Sequence, residues 1–400
     1  MPDRDSIYLN KLMKDVFIIE GLRTPICGRD KSLKNVSAVR LAATVFKALL
    51  KNSGIKGNYI DEVILGNAVS AGLGQNPARQ ALVYAELPFE IPAFTVNKVC
   101  GAGLKSVILG AQAIACGDAN MIIAGGTENV SLCPNILPRN KKDRISGGEE
   151  LSDSLINDGL WCSLNGTHMG VIAESTAARF KITREDQDNY ALESQRKACL
   201  AQELGVFKRE IVPVETAQAQ TVDTDEKPRK TSLEKLSRIP SAFKLEGTVT
   251  AGNSPAPADG AAALILASRK ALKKFGIIPV ARILGYASVA VRPELTFTAA
   301  ALAIEKCLKA SSLKIADVDL FEITEAFAVQ ALLTIRQTGL DTKRSNIFGG
   351  TIALGHPLGA SGARSLVTLI NALKTQGEKI GVTAVCLGGG CAVALAIRIL

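Results

Sequence analysis

The 400-residue sequence predicts an α/β protein built from two related βα units. Short apolar runs typical of strands, such as residues 16–21 and 121–126, alternate with runs whose apolar residues recur at helical spacing, such as residues 37–54. Apolar residues make up 47% of the chain, which is enough to bury a large core. The order of elements that begins near residue 59 recurs near residue 315, and this repetition indicates an internal duplication.

The duplication relates two positions that could carry chemistry. Aligning Asp61 with Asp317, each of which lies between a helix end and a strand, sets an offset of 256 residues between the repeats. The same offset leads from Cys100 to His356. Both positions are followed by small residues, an apolar-faced helix and a strand. We therefore expect Cys100 and His356 at equivalent ends of two related sheets.

The individual elements follow from periodicity and from their end signals. In the first unit, the strand-like run 62–69 is followed by a helix that starts after Cys100 and ends at Gly117. One face of this helix is apolar and is formed by Leu104, Val107, Ile108 and Ala111. The corresponding helix after His356 presents Leu366, Leu369, Ile370 and Leu373. These faces predict that both helices pack against a sheet.

Residues 129–257 are more polar and irregular than their surroundings and indicate a loop domain inserted into the first unit. Within this segment, Thr183 followed by Asp186 predicts a capping box at the start of a long helix. The apolar run 259–268 is expected to return to the first sheet as a strand. The predicted division is an N-terminal core domain of residues 1–128 and 258–279, the loop domain 129–257, and a C-terminal core domain of residues 280–400.

Composition narrows the possible functions and partners. The net charge is +9, but the basic residues are dispersed without an aromatic-basic stripe, so a nucleic-acid partner lacks support. A small molecule that carries a polyphosphate would also benefit from this charge. We expect no apolar run to reach the roughly 18 residues needed to cross a bilayer, and the N-terminus lacks the apolar region of a signal peptide. Nine cysteines without a CxxC pair form a poor disulfide framework and a poor zinc site, so we expect a cytoplasmic protein without a metal.

Cys100 is the strongest candidate nucleophile. A helix N-terminus carries partial positive charge and free N–H groups, which can lower a cysteine pKa from about 8.5 to roughly 3.5–7.5. Gly101 and Gly103 are expected to leave space for a bulky acyl group. A neighbouring imidazole could accept the thiol proton. The alternative is a buried thiol with only a structural role.

The chain has two histidines, His168 and His356, and small residues surround the second. A lone histidine is more often structural, but the setting of His356 favours a chemical role. Cys386 ends a strand and leads into the turn Gly388–Gly390, whose amides are not covered by side chains. The amides of Cys100 and Gly388 could jointly hold an oxyanion, and such donors are worth about 2.7–4 kcal/mol each in a transition state.

Five motifs resemble, in order and spacing, those of the thiolase family. They are "VNKVCGAGLKS", "GTVTAGNS", "EAFA", "ALGHPLGASGAR" and "CLGGG". The resemblance covers nearly the whole chain. It implies the thiolase fold, in which two duplicated βα core domains form a five-layered αβαβα arrangement and carry an inserted loop domain. It also implies a homodimer or homotetramer.

The resemblance implies a role for each candidate residue. Cys100 resembles the nucleophile that accepts an acyl group from an acyl-CoA thioester, His356 the base that activates it, and Cys386 the second acid and base. Coenzyme A thioesters are then substrates, and no separate cofactor is expected. The resemblance further implies that contacts to coenzyme A or the acyl group come from His168, Met169, Arg229, Ser254 and Phe327.

The sequence departs from the family pattern near these residues. Thr324 stands where the family has an asparagine that holds a water, and its hydroxyl could still hold one. Phe348 and Pro255 replace a usual asparagine and serine, and residues 296–300 differ along one wall of the expected pocket.

Three functions remain open from the sequence. The "HMG" motif at His168 favours an acetyl-CoA C-acetyltransferase that makes or cleaves acetoacetyl-CoA. A 3-ketoacyl-CoA thiolase for longer chains is a second possibility. A thiolase-like protein that binds coenzyme A with little turnover is the third.

Overall fold

Two half-sheets of matching topology form the framework of the protein. The computed structural model describes residues 15–137 and 151–400. The strands are β1 (Val16–Arg23), β2 (Cys27–Gly28), β3 (Glu62–Gly66), β4 (Ala93–Val96), β5 (Met121–Glu128), β6 (Asn135–Ile136), β7 (Ser152–Asp153), β8 (Trp161–Cys162), β9 (Thr167–His168), β10 (Val214–Glu215), β11 (Thr221–Val222), β12 (Ala258–Ser268), β13 (Ala281–Ala290), β14 (Leu320–Ile323), β15 (Ile380–Leu387) and β16 (Cys391–Ile399).

The helices connect these strands in the same order in each half. The α-helices are α1 (Ala38–Ser53), α2 (Pro77–Tyr84), α3 (Ala102–Cys116), α4 (Met169–Phe180), α5 (Arg184–Glu203), α6 (Leu233–Ser237), α7 (Arg269–Phe275), α8 (Ala299–Ala310), α9 (Ala328–Thr338), α10 (Thr351–Leu354) and α11 (Leu358–Gln376). Short 3₁₀ segments include Pro293–Thr298 and Ile315–Asp317.

The strand order confirms the predicted duplication. The first half-sheet runs β4-β3-β5-β12-β1 and the second runs β14-β15-β16-β13. In both, a parallel pair (β3 with β5, β14 with β15) is followed by two antiparallel pairings. The halves join through a short antiparallel contact in which Phe17 pairs with Arg282 and Ile18 with Ala281.

Five layers of structure pack around three large apolar cores, and the middle core lies on both sides of the central helices. Helices α3 and α11 pack against each other and against both half-sheets, and their predicted apolar faces form the middle core. Helices α1 and α2 cover the outer face of the first half-sheet, around residues such as Phe46 and Leu82. Helices α8 and α9 cover the second half-sheet, around residues such as Ile304 and Leu333. This is the expected αβαβα arrangement.

One expectation about hydropathy is wrong. The segment Val99–Cys116 has a mean hydropathy of 1.5 over 18 residues and is long and apolar enough to span a membrane. It contains α3 and the three residues before it, and 61% of it is buried inside the protein. Its apolar character is explained by its position in the middle layer, where a helix contacts protein on nearly every side.

The predicted end of α3, the predicted capping box and the predicted return strand are confirmed. Helix α3 ends at Gly117, whose φ of +94° is a conformation that glycine adopts at little cost. Thr183 and Asp186 form the capping box of α5 through reciprocal side-chain contacts of 3.0 and 2.9 Å. Strand β12 returns to the first half-sheet between β1 and β5. Residues 129–257 contain α4–α6 and several two-stranded ladders, and the division into three domains stays a prediction.

The alignment of the repeats requires a correction. The Asp61 carboxylate accepts hydrogen bonds from two backbone amides at the start of β5, and Asp319 makes the same pair of contacts at the start of β15. Asp61 is therefore equivalent to Asp319, and its alignment with Asp317 is wrong. The segment that follows this aspartate is two residues shorter in the second repeat, so the offset of 256 still relates Cys100 to His356.

Candidate active site

Candidate residues from distant motifs line one cavity of about 120 Å³. Cys100 comes from the first core unit, His356 and Cys386 from the second, and the loop segment adds further walls. The complete lining is Cys100, Gly159, Leu160, His168, Met169, Phe243, Ser254, Pro255, Pro257, Phe297, Ala326, Phe327, His356, Leu358, Cys386, Leu387 and Gly388. Eight of the ten residues singled out from the sequence are in this set, and Thr324 and Arg229 are not.

Cys100 lies in a tight turn between β4 and α3. Val99 has a φ of +46°, which a β-branched residue rarely adopts and which costs of order 1–3 kcal/mol. The amides of Gly101 and Ala102 donate to the carbonyls of Lys98 and Val99 and close the turn. The strained turn thus fixes the cysteine at the start of a buried helix.

The glycines beside Cys100 have a different role from the one expected. A Cβ on Gly103 would lie 2.7 Å from the carbonyl oxygen of Gly359, and one on Gly101 would lie 2.5 Å from the Leu387 side chain. Gly126 also contacts the Gly359 carbonyl too closely for a side chain. These positions are small because the start of α3 packs directly on the start of α11. They bring Cys100 towards the second repeat, and the expectation that they clear space for an acyl group is wrong.

His356 is buried immediately before α11, and its contacts define its tautomer. Its amide donates to the Ala256 carbonyl at 2.9 Å, and its Nδ1 lies 2.6 Å from the Ser361 hydroxyl. That hydroxyl donates its single proton to the Pro357 carbonyl at 2.9 Å, so it accepts from Nδ1–H. The remaining nitrogen, Nε2, therefore carries a lone pair. Burial and the Arg364 guanidinium lower the pKa of His356 to about 4, which keeps the ring neutral.

The two thiols are protonated at neutral pH. Burial raises the pKa of Cys100 to about 12, and the nearby Glu128 carboxylate adds to the effect. The pKa of Cys386 is also raised, first by burial and second by the proximity of Cys100. The expectation of a lowered Cys100 pKa is wrong, because loss of hydration outweighs the helix N-terminus. A thiolate can form only as its proton moves to a base such as the neutral His356.

The turn after Cys386 presents free amides. Gly389 and Gly390 have φ values of +80° and +82°, which other residues rarely adopt. Among residues 15–137 and 151–400, neither the Cys100 amide nor the Gly388 amide donates to a backbone carbonyl, and the Cys100 amide faces its own thiol. Such donors are available to an oxygen atom of a ligand in the cavity.

Glu128 is a positioning residue that sequence reasoning missed. Its buried carboxylate accepts from the Gly359 amide at 2.9 Å, from the Ala68 amide at 3.1 Å and from the Asn67 side chain at 2.9 Å. It therefore ties the first turn of α11 to the first half-sheet. Burial raises its pKa to about 7 in spite of these hydrogen bonds. A carboxylate at the last position of an apolar strand was the available signal.

One wall of the cavity combines aromatic rings with one hydroxyl. The His168 ring stacks on Phe243 with centroids 4.9 Å apart, and Phe243 meets Phe327 edge-on at 6.1 Å. Ser254 Oγ is buried and has no hydrogen-bond partner in the described part of the chain. An unpaired buried hydroxyl in a cavity wall is suited to a polar group of a ligand.

Thr324 and Arg229 lie elsewhere. Thr324 is 1% exposed, and its hydroxyl lies 2.9 Å from that of Ser365 on α11. Arg229 is exposed on the loop segment, where its backbone amide donates to Gln195 at 2.9 Å. The described ranges contain no group of three or more His, Cys, Asp and Glu side chains that could hold a metal. All nine cysteines are free thiols.

Comparisons with known proteins agree with this architecture. A model of the thiolase N-terminal domain matches residues 16–270, and a model of the thiolase C-terminal domain matches residues 277–399. The acetyl-CoA acetyltransferases of Pseudomonas aeruginosa and Escherichia coli are 45% and 46% identical to the chain, covering 96% of it and 99% of each relative. The crystal structure of Acat5 thiolase from Ascaris suum in complex with coenzyme A is 42% identical, with a TM-score of 0.92 over 97% of this chain and 100% of that one. The chain therefore belongs to the thiolase family.

Proposed function

We propose that the protein is an acetyl-CoA C-acetyltransferase, which condenses two acetyl-CoA molecules to acetoacetyl-CoA and coenzyme A and also catalyses the reverse thiolysis. The observation that carries this proposal is one small cavity lined by Cys100, a neutral His356 and Cys386, with two free amides beside them. The relatives named acetyl-CoA acetyltransferase support the same activity.

In the first half-reaction, His356 Nε2 takes the proton of Cys100 while the sulfur attacks the thioester carbonyl of acetyl-CoA. The new C–S bond forms as the bond to coenzyme A breaks, and the departing thiolate takes the proton back from the imidazolium. The product is acetyl-Cys100 and free coenzyme A. A neutral imidazole beside a protonated thiol is the starting state that this transfer needs.

In the second half-reaction, the Cys386 thiol passes its proton to the neutral His356, and the resulting thiolate removes an α-proton from a second acetyl-CoA. The resulting carbanion attacks the acetyl carbonyl, so a C–C bond forms and the bond to Cys100 breaks. The developing oxyanion is held by the amides of Cys100 and Gly388, at about 2.7–4 kcal/mol per donor. The released Cys100 thiolate takes the proton from the His356 imidazolium, which restores both thiols and the neutral imidazole.

We assign the remaining cavity residues to the substrate. His168, Met169, Ser254 and Phe327 would contact the pantetheine and acyl parts of coenzyme A thioesters, and the unpaired Ser254 hydroxyl supports a polar contact. The exposed guanidinium of Arg229 would meet the nucleotide part. Coenzyme A thioesters act here as substrates, with no separate cofactor. A cytoplasmic homodimer or homotetramer belongs to the same proposal.

Thiolysis assays test the function. The purified protein is given coenzyme A with acetoacetyl-CoA, and mass spectrometry follows an acetyl adduct on Cys100. We expect substrate loss and the adduct in the wild-type protein. A replacement of Cys116, the exposed thiol at the other end of α3, should leave both unchanged. Binding of acetoacetyl-CoA without turnover or adduct would refute the proposal and favour a coenzyme A-binding protein.

A further inference from the structure

One wall of the cavity is formed by an aromatic ring that takes no part in the chemistry above. Phe297 lies in the 3₁₀ segment Pro293–Thr298, is 1% exposed and lines the cavity together with Cys100 and Cys386. Its ring packs against Phe327 with a centroid distance of 5.5 Å and an interplanar angle of 67°. It offers no polar atom to a ligand, so its effect on a substrate is steric and apolar.

Thr296, the residue before Phe297, is hydrogen-bonded to the turn that follows Cys386. The hydroxyl of Thr296 donates to the Leu387 carbonyl at 2.9 Å and accepts from the Gly390 amide at 3.1 Å. Both partners belong to the turn that follows Cys386, with Gly388 and Gly389 between them. Because Thr296 is fully buried and makes both hydrogen bonds, the backbone that carries Phe297 cannot shift without breaking contacts beside the site.

The cavity is small for an acyl chain. Its volume is about 120 Å³, and three rings that pack edge to face, Phe297, Phe327 and Phe243, are part of its lining. Forcing extra methylenes into a well-packed apolar site costs roughly 1–3 kcal/mol. A single methylene changes the specificity of an enzyme about 10–200-fold in such a pocket.

We propose that Phe297 is the residue that restricts the acyl group on Cys100 to acetyl and comparably short chains. This inference rests on the proposed function, since it assigns the acyl length of the same site. It follows that a smaller side chain at position 297 would admit longer 3-ketoacyl-CoA substrates without altering the thiols or the imidazole.

The test compares two substrates across matched variants. We would measure kcat/KM for thiolysis of acetoacetyl-CoA and of 3-ketohexanoyl-CoA in the wild-type protein, F297A and F348A. Phe348 is a control, because it is a buried ring that packs on Phe207 outside the cavity. We expect F297A to lower the preference for acetoacetyl-CoA at least tenfold, and F348A to change it less than twofold. If F297A is poorly folded, F297L keeps most of the packing and should lower the preference by an intermediate factor.

The outcomes separate this proposal from the function on which it rests. A wild-type protein that cleaves the six-carbon substrate as readily as acetoacetyl-CoA, or an unchanged preference in folded F297A and F297L, would overturn the role of Phe297. Failure of every variant to cleave either substrate would instead overturn the proposed function. In that case, the acylation of Cys100 by acetyl-CoA and butanoyl-CoA, or the binding of these two thioesters, provides the same comparison between wild-type and F297A.

Discussion

The two helices of the middle layer occupy equivalent places but differ in what they bury. Helix α3 is almost entirely apolar, and Ser106 is its one buried polar side chain among those described, bonded to two backbone carbonyls. Helix α11 buries a row of polar side chains, which is Ser361, Arg364, Ser365, Thr368 and Asn371. The duplicated scaffold thus carries an apolar helix behind Cys100 and a polar helix behind His356.

Each member of the polar row has a partner outside α11. Ser361 contacts His356, Ser365 contacts Thr324, and Arg364 donates to Glu322 at 2.8 Å. Thr368 and Asn371 both contact Glu210, which in turn pairs with the buried Arg23. The difference between the helices teaches that a thiol needs only a fixed position, whereas a neutral imidazole needs its tautomer and its electrostatic surroundings defined.

The largest effect on activity should come from Cys100, which precedes the apolar helix α3. Replacing Cys100 with alanine removes the atom that carries the acyl group, and no other part of α3 can take over. We expect thiolysis of acetoacetyl-CoA to fall by at least about 10³-fold with normal folding. The rate of thiolysis is followed by absorbance, and intact-protein mass spectrometry detects the acyl adduct. A C100A protein that retains more than a tenth of its activity would break the assignment of the nucleophile.

Arg364→Met tests whether the polar row is held together by charge. The substitution leaves Glu322 buried without its partner, and breaking a buried pair in this way costs about 3–5 kcal/mol. Burial already raises the pKa of Glu322 to about 7, so it will tend to take up a proton. The free energy of unfolding in urea measures the loss. Arg364→Lys keeps the charge and should lose less, and equal losses for both variants would contradict an electrostatic role.

Ser361→Ala tests the hydrogen bond that orients the His356 ring. Without the acceptor for Nδ1–H, the His356 ring can adopt the other tautomer, and we expect kcat to fall about 10–100-fold, the range seen when an orienting partner is lost. Ser361→Thr retains the hydroxyl and should recover most of the rate. A purely structural role would change the unfolding midpoint and leave kcat intact in the folded fraction.

The pH profile tests the electrostatic surroundings of the base. An imidazole with the ordinary pKa of about 6.5 is only a tenth neutral at pH 5.5, whereas His356, with a pKa of about 4, remains neutral there. Because the neutral form is the base, kcat/KM should stay within about twofold between pH 7 and 5.5 and fall as the pH approaches 4. Circular dichroism at each pH controls for unfolding. An acid limb centred near pH 6.5 would contradict this account.

Periodicity was sufficient to predict the elements that carry the site, but not their surroundings. The apolar faces of α3 and α11, the capping box of Thr183 and the return of β12 all follow from local spacing. The direction of the Cys100 pKa shift could not be predicted, because it depends on how completely the folded chain removes water from the thiol. Glu128 was missed for a similar reason, since its partners at Gly359 and Ala68 are distant in sequence.

The smallest effect is expected at Thr324, where the sequence suggested a water-holding hydroxyl. The hydroxyl contacts Ser365 and the side chain does not line the cavity, so it belongs to the supports of the polar helix. Thr324→Val keeps the shape and leaves Ser365 unpaired, which should cost about 1–2 kcal/mol of stability while kcat changes less than about threefold. The urea midpoint and kcat are measured on the same preparation, with Ser365→Ala as the matched partner. A hydroxyl that contacts only Ser365 has no means of affecting the chemistry at Cys100. A tenfold or greater fall in kcat for folded Thr324→Val would therefore show that Thr324 acts in the reaction.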